Sequence, residues 1–94
     1  MILRNGTLLD GTGSPSRRAD LKIEAGLVAA IEPPGVLPPG HDEHDCAGLF
    51  VCPGFIDTHT HSDLAALREP DLAMKARQGI TLDVLGQDGI GVAP

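Results

Sequence analysis

Near the middle of the chain the sequence reads Pro53-Gly54-Phe55-Ile56-Asp57-Thr58-His59-Thr60-His61, a segment that ends in two histidines. Its β-branched and aromatic residues are typical of a β-strand. Side chains at positions i and i+2 of a strand point to the same face, with Cα atoms about 6.5–7 Å apart. His59 and His61 are therefore predicted to share a face, where two neutral imidazoles can bind one zinc ion.

Asp57 has the same parity along this predicted strand as the two histidines. It is expected to point inward one layer below them, where a carboxylate can orient a ligand histidine from outside the ligand set. The alternative is that the histidine pair is a chance feature of an ordinary strand. The proline-glycine entry and the position at the end of the strand favour the metal site.

The residues that follow predict a strand-helix-strand unit. Residues 71–79 have the pattern of a short helix that stops at a glycine, and residues 80–85 have the pattern of a second strand. Such a unit normally pairs its strands in parallel. In a parallel barrel the carboxyl ends of the strands form the face on which active sites are built, and both histidines fall there. The charged residues of the helix are interpreted as a solvated face: Asp71, Lys75 and Arg77.

The amino-terminal half predicts short strands joined by turns. The dipeptide Asn5-Gly6 is the strongest two-residue hairpin signal and is predicted to reverse the chain. Residues 20–24 alternate polar and apolar, which indicates a half-buried strand that turns at Ala25-Gly26. The predicted strands cover residues 2–4, 7–9, 20–24, 27–32, 44–47 and 49–52.

The composition excludes several kinds of partner. The 94 residues carry 7 basic and 13 acidic side chains, and a net charge of −6 argues against nucleic acid, which favours a basic face. No segment approaches the roughly 20 apolar residues of a membrane span, so no membrane partner is expected. The first residues lack a charged region followed by an apolar one, so we expect a cytoplasmic protein without a secretory signal.

Residues 53–61 resemble the first barrel strand of the amidohydrolase superfamily. Further segments make the chain similar to the N-acyl-D-amino-acid deacylases (D-aminoacylases) within that superfamily, and the similarity covers nearly the whole sequence. These segments are Leu3-Arg4-Asn5-Gly6-Thr7-Leu8-Leu9-Asp10-Gly11-Thr12-Gly13, His59-Thr60-His61-Ser62-Asp63-Leu64, Lys75-Ala76-Arg77-Gln78-Gly79-Ile80-Thr81, Val84-Leu85-Gly86-Gln87-Asp88-Gly89 and Ala93-Pro94.

The resemblance implies a small composite β-sandwich, built from both chain ends, joined to a (β/α)8 barrel that holds one or two zinc ions. The expected fold class is mainly β with a short βαβ unit. Residues 1–52 would form the amino-terminal part of the β-sandwich, and residues 53–94 the first two barrel strands with their connecting helix. His59 and His61 match the two metal ligands of the first strand. The metal would activate water to attack the amide carbonyl of a small-molecule N-acyl amino acid.

The loop after the second strand departs from the family pattern. In the deacylases a zinc-binding cysteine usually stands there in a Gly-Asn-Cys-Gly setting, whereas this chain has Gly86-Gln87-Asp88-Gly89. A carboxylate also binds zinc, so Asp88 is a candidate ligand, although a hard oxygen changes the metal affinity expected of a soft sulfur. The alternative for Asp88 is an ordinary Asp-Gly turn.

A (β/α)8 barrel needs eight strands and typically about 250 residues, whereas this chain predicts two barrel strands. Other metal ligands and the catalytic acid or base would come from later strands, so we assign no catalytic residue. We expect a piece of a longer enzyme, inactive by itself, whose uncovered strand edges favour self-association. Two alternatives stay open: a non-catalytic β-rich module that only folds or associates, and a cyclic-amide hydrolase such as a dihydroorotase or hydantoinase.

Overall fold

The structure is a computed structural model that describes residues 1–91. The chain divides into an amino-terminal unit, Met1–Pro53, and a carboxyl-terminal unit, Gly54–Pro94. Over residues 1–91 as a whole, most of the regular structure is strand, which confirms the mainly β fold class. The predicted family segment Ala93-Pro94 lies outside the described residues. None of the helices in residues 1–91 is long and apolar enough to cross a membrane.

A single mixed sheet forms the amino-terminal unit. Its strands are β1 Ile2–Leu8, β2 Arg17–Glu24, β3 Leu27–Glu32, β4 Glu43–Asp45 and β5 Phe50–Val51. They lie in the order β3-β2-β1-β4, and β5 also pairs with β1. The β1–β2 and β2–β3 pairs are antiparallel, whereas β4 and β5 run parallel to β1. The predicted turn at Ala25-Gly26 is confirmed, and both residues have positive φ angles, of 51° and 77°.

The predicted hairpin at Asn5-Gly6 is wrong, because β1 continues through both residues. Asn5 adopts a φ of 59°, and the pairing with β2 shifts register between Leu3 and Gly6. Asparagine tolerates the left-handed region, and a bulge can use that conformation as well as a turn. Gly6 also has no room for a side chain, since an added Cβ would lie 2.6 Å from Val51 Cγ2. The close approach of β5 therefore explains the glycine.

The amino-terminal unit encloses a charged pair beside a small apolar core. The core consists of Leu8, Ala19 and Leu21, with Leu3 and Val51 packed against them. Next to them Asp20 has no exposed surface. Burial opposes ionisation of this carboxyl, but hydrogen bonds from two backbone N–H groups and from the Arg4 guanidinium outweigh it, so the pKa of Asp20 is lowered.

Arg4 is the donor that ties this network together. Its Nη1 donates to Asp20 Oδ2 at 3.0 Å and to the carbonyl of Leu37 at 2.9 Å. Its Nη2 donates to Glu43 Oε1 at 2.6 Å and to the carbonyl of Pro38 at 2.9 Å. One side chain on β1 therefore anchors β2, the loop before β4 and β4 itself.

The carboxyl-terminal unit is built around one parallel strand pair. Its elements are β6 Phe55–Asp57, α1 Asp63–Arg68, α2 Ala73–Ala76, β7 Ile80–Asp83 and a 3-10 turn at Gln87–Gly89. Strands β6 and β7 align Phe55 with Ile80 and Asp57 with Asp83, which confirms the predicted parallel pairing. The helix predicted for residues 71–79 is shorter than expected, and the predicted strand 80–85 ends at Asp83.

In the carboxyl-terminal unit polar side chains are the most buried and large apolar side chains are exposed, the opposite of a usual core. Its least exposed side chains are polar: Asp83 at 9%, Lys75 at 14% and Thr60, which is also buried. Seven of its large apolar side chains are more than half exposed: Phe55, Ile56, Leu64, Leu67, Met74, Leu82 and Ile90. The apolar faces of this strand pair and its helices are therefore uncovered within the described part of the unit.

Candidate metal centre

The two histidines lie in the segment between β6 and α1, because β6 ends at Asp57. The predicted strand placement of His59 and His61 is therefore wrong, and strand parity does not explain their proximity. Their rings nevertheless approach each other edge to face, with centroids 5.6 Å apart and planes inclined by 73°. Thr60 between them is buried, while both histidines are exposed. The buried threonine anchors a segment that presents both imidazoles outward.

Asp88 reaches the same place from the loop after β7. It lies in the 3-10 turn Gln87–Gly89 and has a φ of 56°, in the left-handed region that aspartate tolerates better than most residues. Its Oδ2 is 3.2 Å from His59 Nε2 and 3.5 Å from His61 Nε2. Asp88 thus belongs to an Asp-Gly turn and also contacts both histidines, so its two sequence interpretations are compatible.

Two hydrogen bonds join the loops that carry these side chains. Asp63 Oδ1 accepts the backbone N–H of Gly86 at 3.0 Å, and Gln87 Nε2 donates to the carbonyl of Thr58 at 3.2 Å. A third bond, from the N–H of Val84 to the carbonyl of Asp57 at 2.9 Å, extends the parallel pairing to the base of the loops. The sequence contained no signal for the first two bonds, because each joins distant positions through an irregular backbone.

The three side chains fit a metal ion. Their ligand atoms all lie within 4.8 Å of one another, close enough to share an ion. No other group of three or more histidine, cysteine or acidic side chains among the described residues does so. A tetrahedral zinc ion with bonds of about 2.0–2.1 Å places its ligand atoms about 3.3–3.4 Å apart. The separations from Asp88 Oδ2 to the two histidine nitrogens, 3.2 and 3.5 Å, match this value. Two imidazole nitrogens and one carboxylate oxygen are also a donor set that zinc accepts.

Asp57 contacts the histidine segment through the backbone. Its Oδ1 accepts the N–H of His59 at 3.2 Å, and its Oδ2 accepts a hydrogen bond from Lys75 Nζ at 2.9 Å. The Lys75 ammonium and then the His59 N–H lower the pKa of Asp57. The carboxylate therefore holds the main chain of the first histidine, whereas its predicted partner was a histidine side chain.

Lys75 is the residue that sequence analysis missed. Its predicted place on a solvated helix face is wrong: the side chain is only 14% exposed, whereas Asp71 and Arg77 are exposed. Burial disfavours the charged ammonium, but contacts with Asp83 and Asp57 outweigh it and raise the pKa of Lys75. The Asp83 contact is a close ion pair at 2.8 Å, although neither oxygen of that carboxylate has hydrogen-bond geometry. Two aspartates at the same level of adjacent strands were the available signal, since they require a cation.

Comparison with known proteins identifies the family. No model of a known protein family matches the chain. The chain is 46% identical over 96 residues to a D-aminoacylase of Alcaligenes xylosoxydans xylosoxydans, an alignment that covers 100% of this chain and 19% of that protein. The chain belongs to the D-aminoacylase family of amidohydrolases. This confirms the resemblance. The chain spans 19%, about a fifth, of the length of that D-aminoacylase.

A solved structure of the D-aminoacylase family has the same fold in this region. It is the crystal structure of N-acyl-D-glutamate deacylase from Bordetella bronchiseptica, in complex with zinc and a phosphonate inhibitor that mimics the tetrahedral intermediate of the reaction. The two are 45% identical with a TM-score of 0.86, over 99% of this chain and 19% of that one. The D-aminoacylase family is thus metal-dependent and acts on small molecules.

A dihydroorotase also matches, though over less of the chain. The enzyme from Thermoanaerobacter is 40% identical over 75 residues, which is 80% of this chain and 16% of that protein. Deacylases of N-acyl-D-amino acids align with the chain over its full length or nearly so. The comparisons therefore support the D-aminoacylase branch over the predicted cyclic-amide alternative.

Proposed function

We propose that this chain provides the first two barrel strands and a zinc site of an amidohydrolase that removes the acyl group from N-acyl-D-amino acids. His59, His61 and Asp88 are the proposed metal ligands, and Asp57 supports them from outside the ligand set. One observation carries the proposal: three ligand atoms from two separate loops lie within 4.8 Å of one another.

The chain's own residues prepare the site in three ways. The imidazoles of His59 and His61 offer nitrogen lone pairs, and Asp88 adds a negative charge that offsets part of the charge of a divalent ion. Asp57 holds the backbone of His59 through the 3.2 Å bond to its N–H. A zinc ion bound there would supply the chemistry of the reaction by activating water and polarising an amide carbonyl. Both histidines and Asp88 are about half exposed or more, at 60%, 49% and 62%, so a small molecule can approach them.

The proposed structural role of each part of the chain follows the family. Residues 1–52 would contribute to the small composite β-sandwich, and residues 53–94 would contribute the first two barrel strands. The single mixed sheet of the amino-terminal unit and the parallel β6–β7 pair support this assignment. A small-molecule N-acyl amino acid is the proposed substrate. We assign no catalytic acid or base to the 94 residues, and we expect them to bind zinc without hydrolysing amides.

Zinc titration of the purified chain tests the proposal. The wild-type chain should bind one zinc ion, measured by competition with a chromophoric chelator and by metal analysis after gel filtration. The His59→Ala/His61→Ala double variant should lose this binding, because two of three ligands are gone. His41→Ala/His44→Ala is the matched control, since it removes the same number of imidazoles from an exposed segment of the amino-terminal unit. Equal zinc affinity in the wild type and the His59/His61 variant would rule out the proposed site.

We also propose that two copies of the chain associate through their uncovered apolar faces. Seven large apolar side chains of the carboxyl-terminal unit are more than half exposed, as described above. In the amino-terminal unit, an apolar cavity of about 300 Å³ opens beside β2 and β3. Exposed apolar surface and open strand edges favour pairing with a second chain. Sedimentation at several concentrations should show a dimer of the wild-type chain, and its dissociation constant should be higher in the Ile56→Lys/Leu82→Lys variant. A wild-type chain that is monomeric at every concentration would contradict the proposal.

A further inference from the structure

We infer that Lys75 is a positioning residue for the proposed zinc site and acts on His59 through Asp57. The inference rests on the proposed function, but its central claim concerns the backbone of His59 and can be measured without metal. Lys75 lies on α2, outside the two loops that carry the proposed ligands. Nothing in its local sequence distinguishes it from an ordinary surface lysine.

The first step is the geometry of the Asp57 carboxylate. Lys75 Nζ donates to Oδ2 at 2.9 Å, while Oδ1 accepts the His59 N–H at 3.2 Å. A carboxylate is planar, so fixing one oxygen fixes the direction of the other. With the ammonium in place, the oxygen that holds His59 is therefore held in turn.

The second step is a parallel contact on the other side of His59. Lys75 Nζ donates to Thr60 Oγ1 at 2.7 Å, and that hydroxyl lies 2.7 Å from Ser62 Oγ. Because Thr60 is buried between the two histidines, the ammonium restrains the histidine segment at Thr60 as well as through Asp57. Nζ thus donates to two oxygens, at 2.7 and 2.9 Å, and forms an ion pair with Asp83 Oδ2 at 2.8 Å.

The Lys75 ammonium also neutralises the repulsion between two carboxylates. Asp57 and Asp83 are register partners on β6 and β7, so two carboxylates face the same small volume. Without the ammonium they repel each other in partly buried surroundings. Asp57 is 28% exposed and Asp83 only 9%, so Asp57 is the carboxylate that can turn toward water. That turn breaks its bond to His59 and loosens the first proposed ligand.

The test combines metal affinity with amide exchange in the 94-residue chain. Lys75→Met should lower zinc affinity about 10–100-fold, the usual effect of losing a partner that orients a ligand. Without zinc, the His59 amide should exchange its hydrogen faster in this variant than in the wild type, as measured by NMR. Lys22→Met is the matched control, because Lys22 is 43% exposed in β2 and pairs with Glu24. It should leave both measurements unchanged.

A double variant separates positioning from general stability. Because Lys75 acts mainly through Asp57 but also contacts Thr60, Lys75→Met/Asp57→Ala should bind zinc somewhat more weakly than the weaker single variant but clearly more tightly than multiplied losses would give. Asp83→Asn should lower the midpoint of unfolding but leave the His59 amide protected, since it removes the poorly directed ion pair alone. Should Lys75→Met fail to fold, Lys75→Gln, which keeps one N–H donor, replaces it with the same expected directions.

Three outcomes would overturn the inference. One is wild-type zinc affinity in Lys75→Met, which would leave the proposed zinc site standing. Another is an unchanged exchange rate of the His59 amide in Lys75→Met. The last is multiplicative losses in the double variant. Absence of zinc binding in the wild type would instead refute the proposed function, and the exchange rates of the metal-free chains would still decide whether Lys75 holds His59.

Discussion

Asp88 Oδ2 lies 3.2 Å from His59 Nε2, although the two residues are 29 positions apart in the chain. Parallel pairing accounts for this proximity, because the carboxyl ends of parallel strands open onto the same edge of a sheet. His59 follows β6 and Asp88 follows β7, so their loops meet. The proposed ligand set is therefore a product of the strand pairing, and it depends on the loops that finish each strand.

Changing Asp88 should change zinc affinity in a direction set by the ligand atom. Asp88→Asn removes the charge and should weaken binding at least about tenfold, or about 1.4 kcal/mol. Asp88→Cys introduces the sulfur ligand that the family resemblance leads us to expect here and should strengthen zinc binding, because thiolate is a softer and better ligand for zinc than carboxylate. Chelator competition measures both affinities, and cobalt substitution adds a sulfur-to-metal absorption band in the cysteine variant. Asp71→Asn is the control for charge, and an Asp88→Asn variant that binds zinc as the wild type does would exclude Asp88 from the site.

Asp20→Asn should destabilise the amino-terminal unit by about 3 kcal/mol, in the range for breaking a buried charge pair. Oδ1 of Asp20 accepts the Asn5 N–H at 2.8 Å, and Oδ2 accepts the Gly35 N–H at 2.9 Å and Arg4 Nη1 at 3.0 Å. An asparagine amide has a single oxygen, so in either orientation its NH2 group faces at least one N–H donor. Denaturant unfolding measures the loss. Asp42→Asn, at an exposed carboxylate, should stay within about 0.5 kcal/mol, and an equally small effect at Asp20 would contradict the prediction.

Acid should destabilise the chain through the same carboxyl. The pKa of Asp20 is lowered from an ordinary value of 3.8, so near that pH the unfolded chain binds more protons than the folded chain. The stabilisation that the Asp20 carboxylate contributes is complete above pH 3.8. It is lost as the pH falls below 3.8 toward the lowered pKa of the folded state. Unfolding midpoints measured from about pH 6 down to about pH 2 should fall for the wild type and fall less for Asp20→Asn. Parallel curves for the two proteins would show that Asp20 does not contribute. The pKa values of four other carboxyls are also lowered, so part of the slope should remain in the variant: Asp10, Glu43, Asp45 and Asp57.

Local patterns in the sequence were enough for the elements whose partners are neighbours. The β2–β3 hairpin follows from polar-apolar alternation and a two-residue turn, and both features lie within one short segment. The parallel β6–β7 pair follows from the order strand, helix, strand, because that order leaves few other topologies. The proximity of the segment after β6, which carries His59 and His61, to the loop after β7, which carries Asp88, was predictable for the same reason.

Contacts between distant segments explain what the sequence could not predict. At Asn5-Gly6 the signal for a hairpin was strong, but β1 is paired along both edges and the dipeptide became a bulge within it. Lys75 has the sequence context of a surface lysine, and its burial depends on two aspartates that meet only when β6 and β7 pair. Strand β6 ends before the histidine segment because Asp57 accepts the hydrogen bond from the His59 N–H that a neighbouring strand would otherwise accept.

Gly54→Ala should weaken the β6–β7 pair and, with it, the proposed zinc site. A Cβ at residue 54 would overlap the Thr81 side chain on β7, with Thr81 Cβ only 2.7 Å away. Overpacking of this kind typically costs about 1–3 kcal/mol. The β6–β7 pairing brings the loops of His59 and Asp88 together, so zinc affinity should fall together with the midpoint of unfolding. Thr81→Ala removes the two outer atoms of the clash and should restore part of both losses when combined with Gly54→Ala. A Gly54→Ala chain that unfolds and binds zinc as the wild type does would show that the parallel pair does not position the ligands.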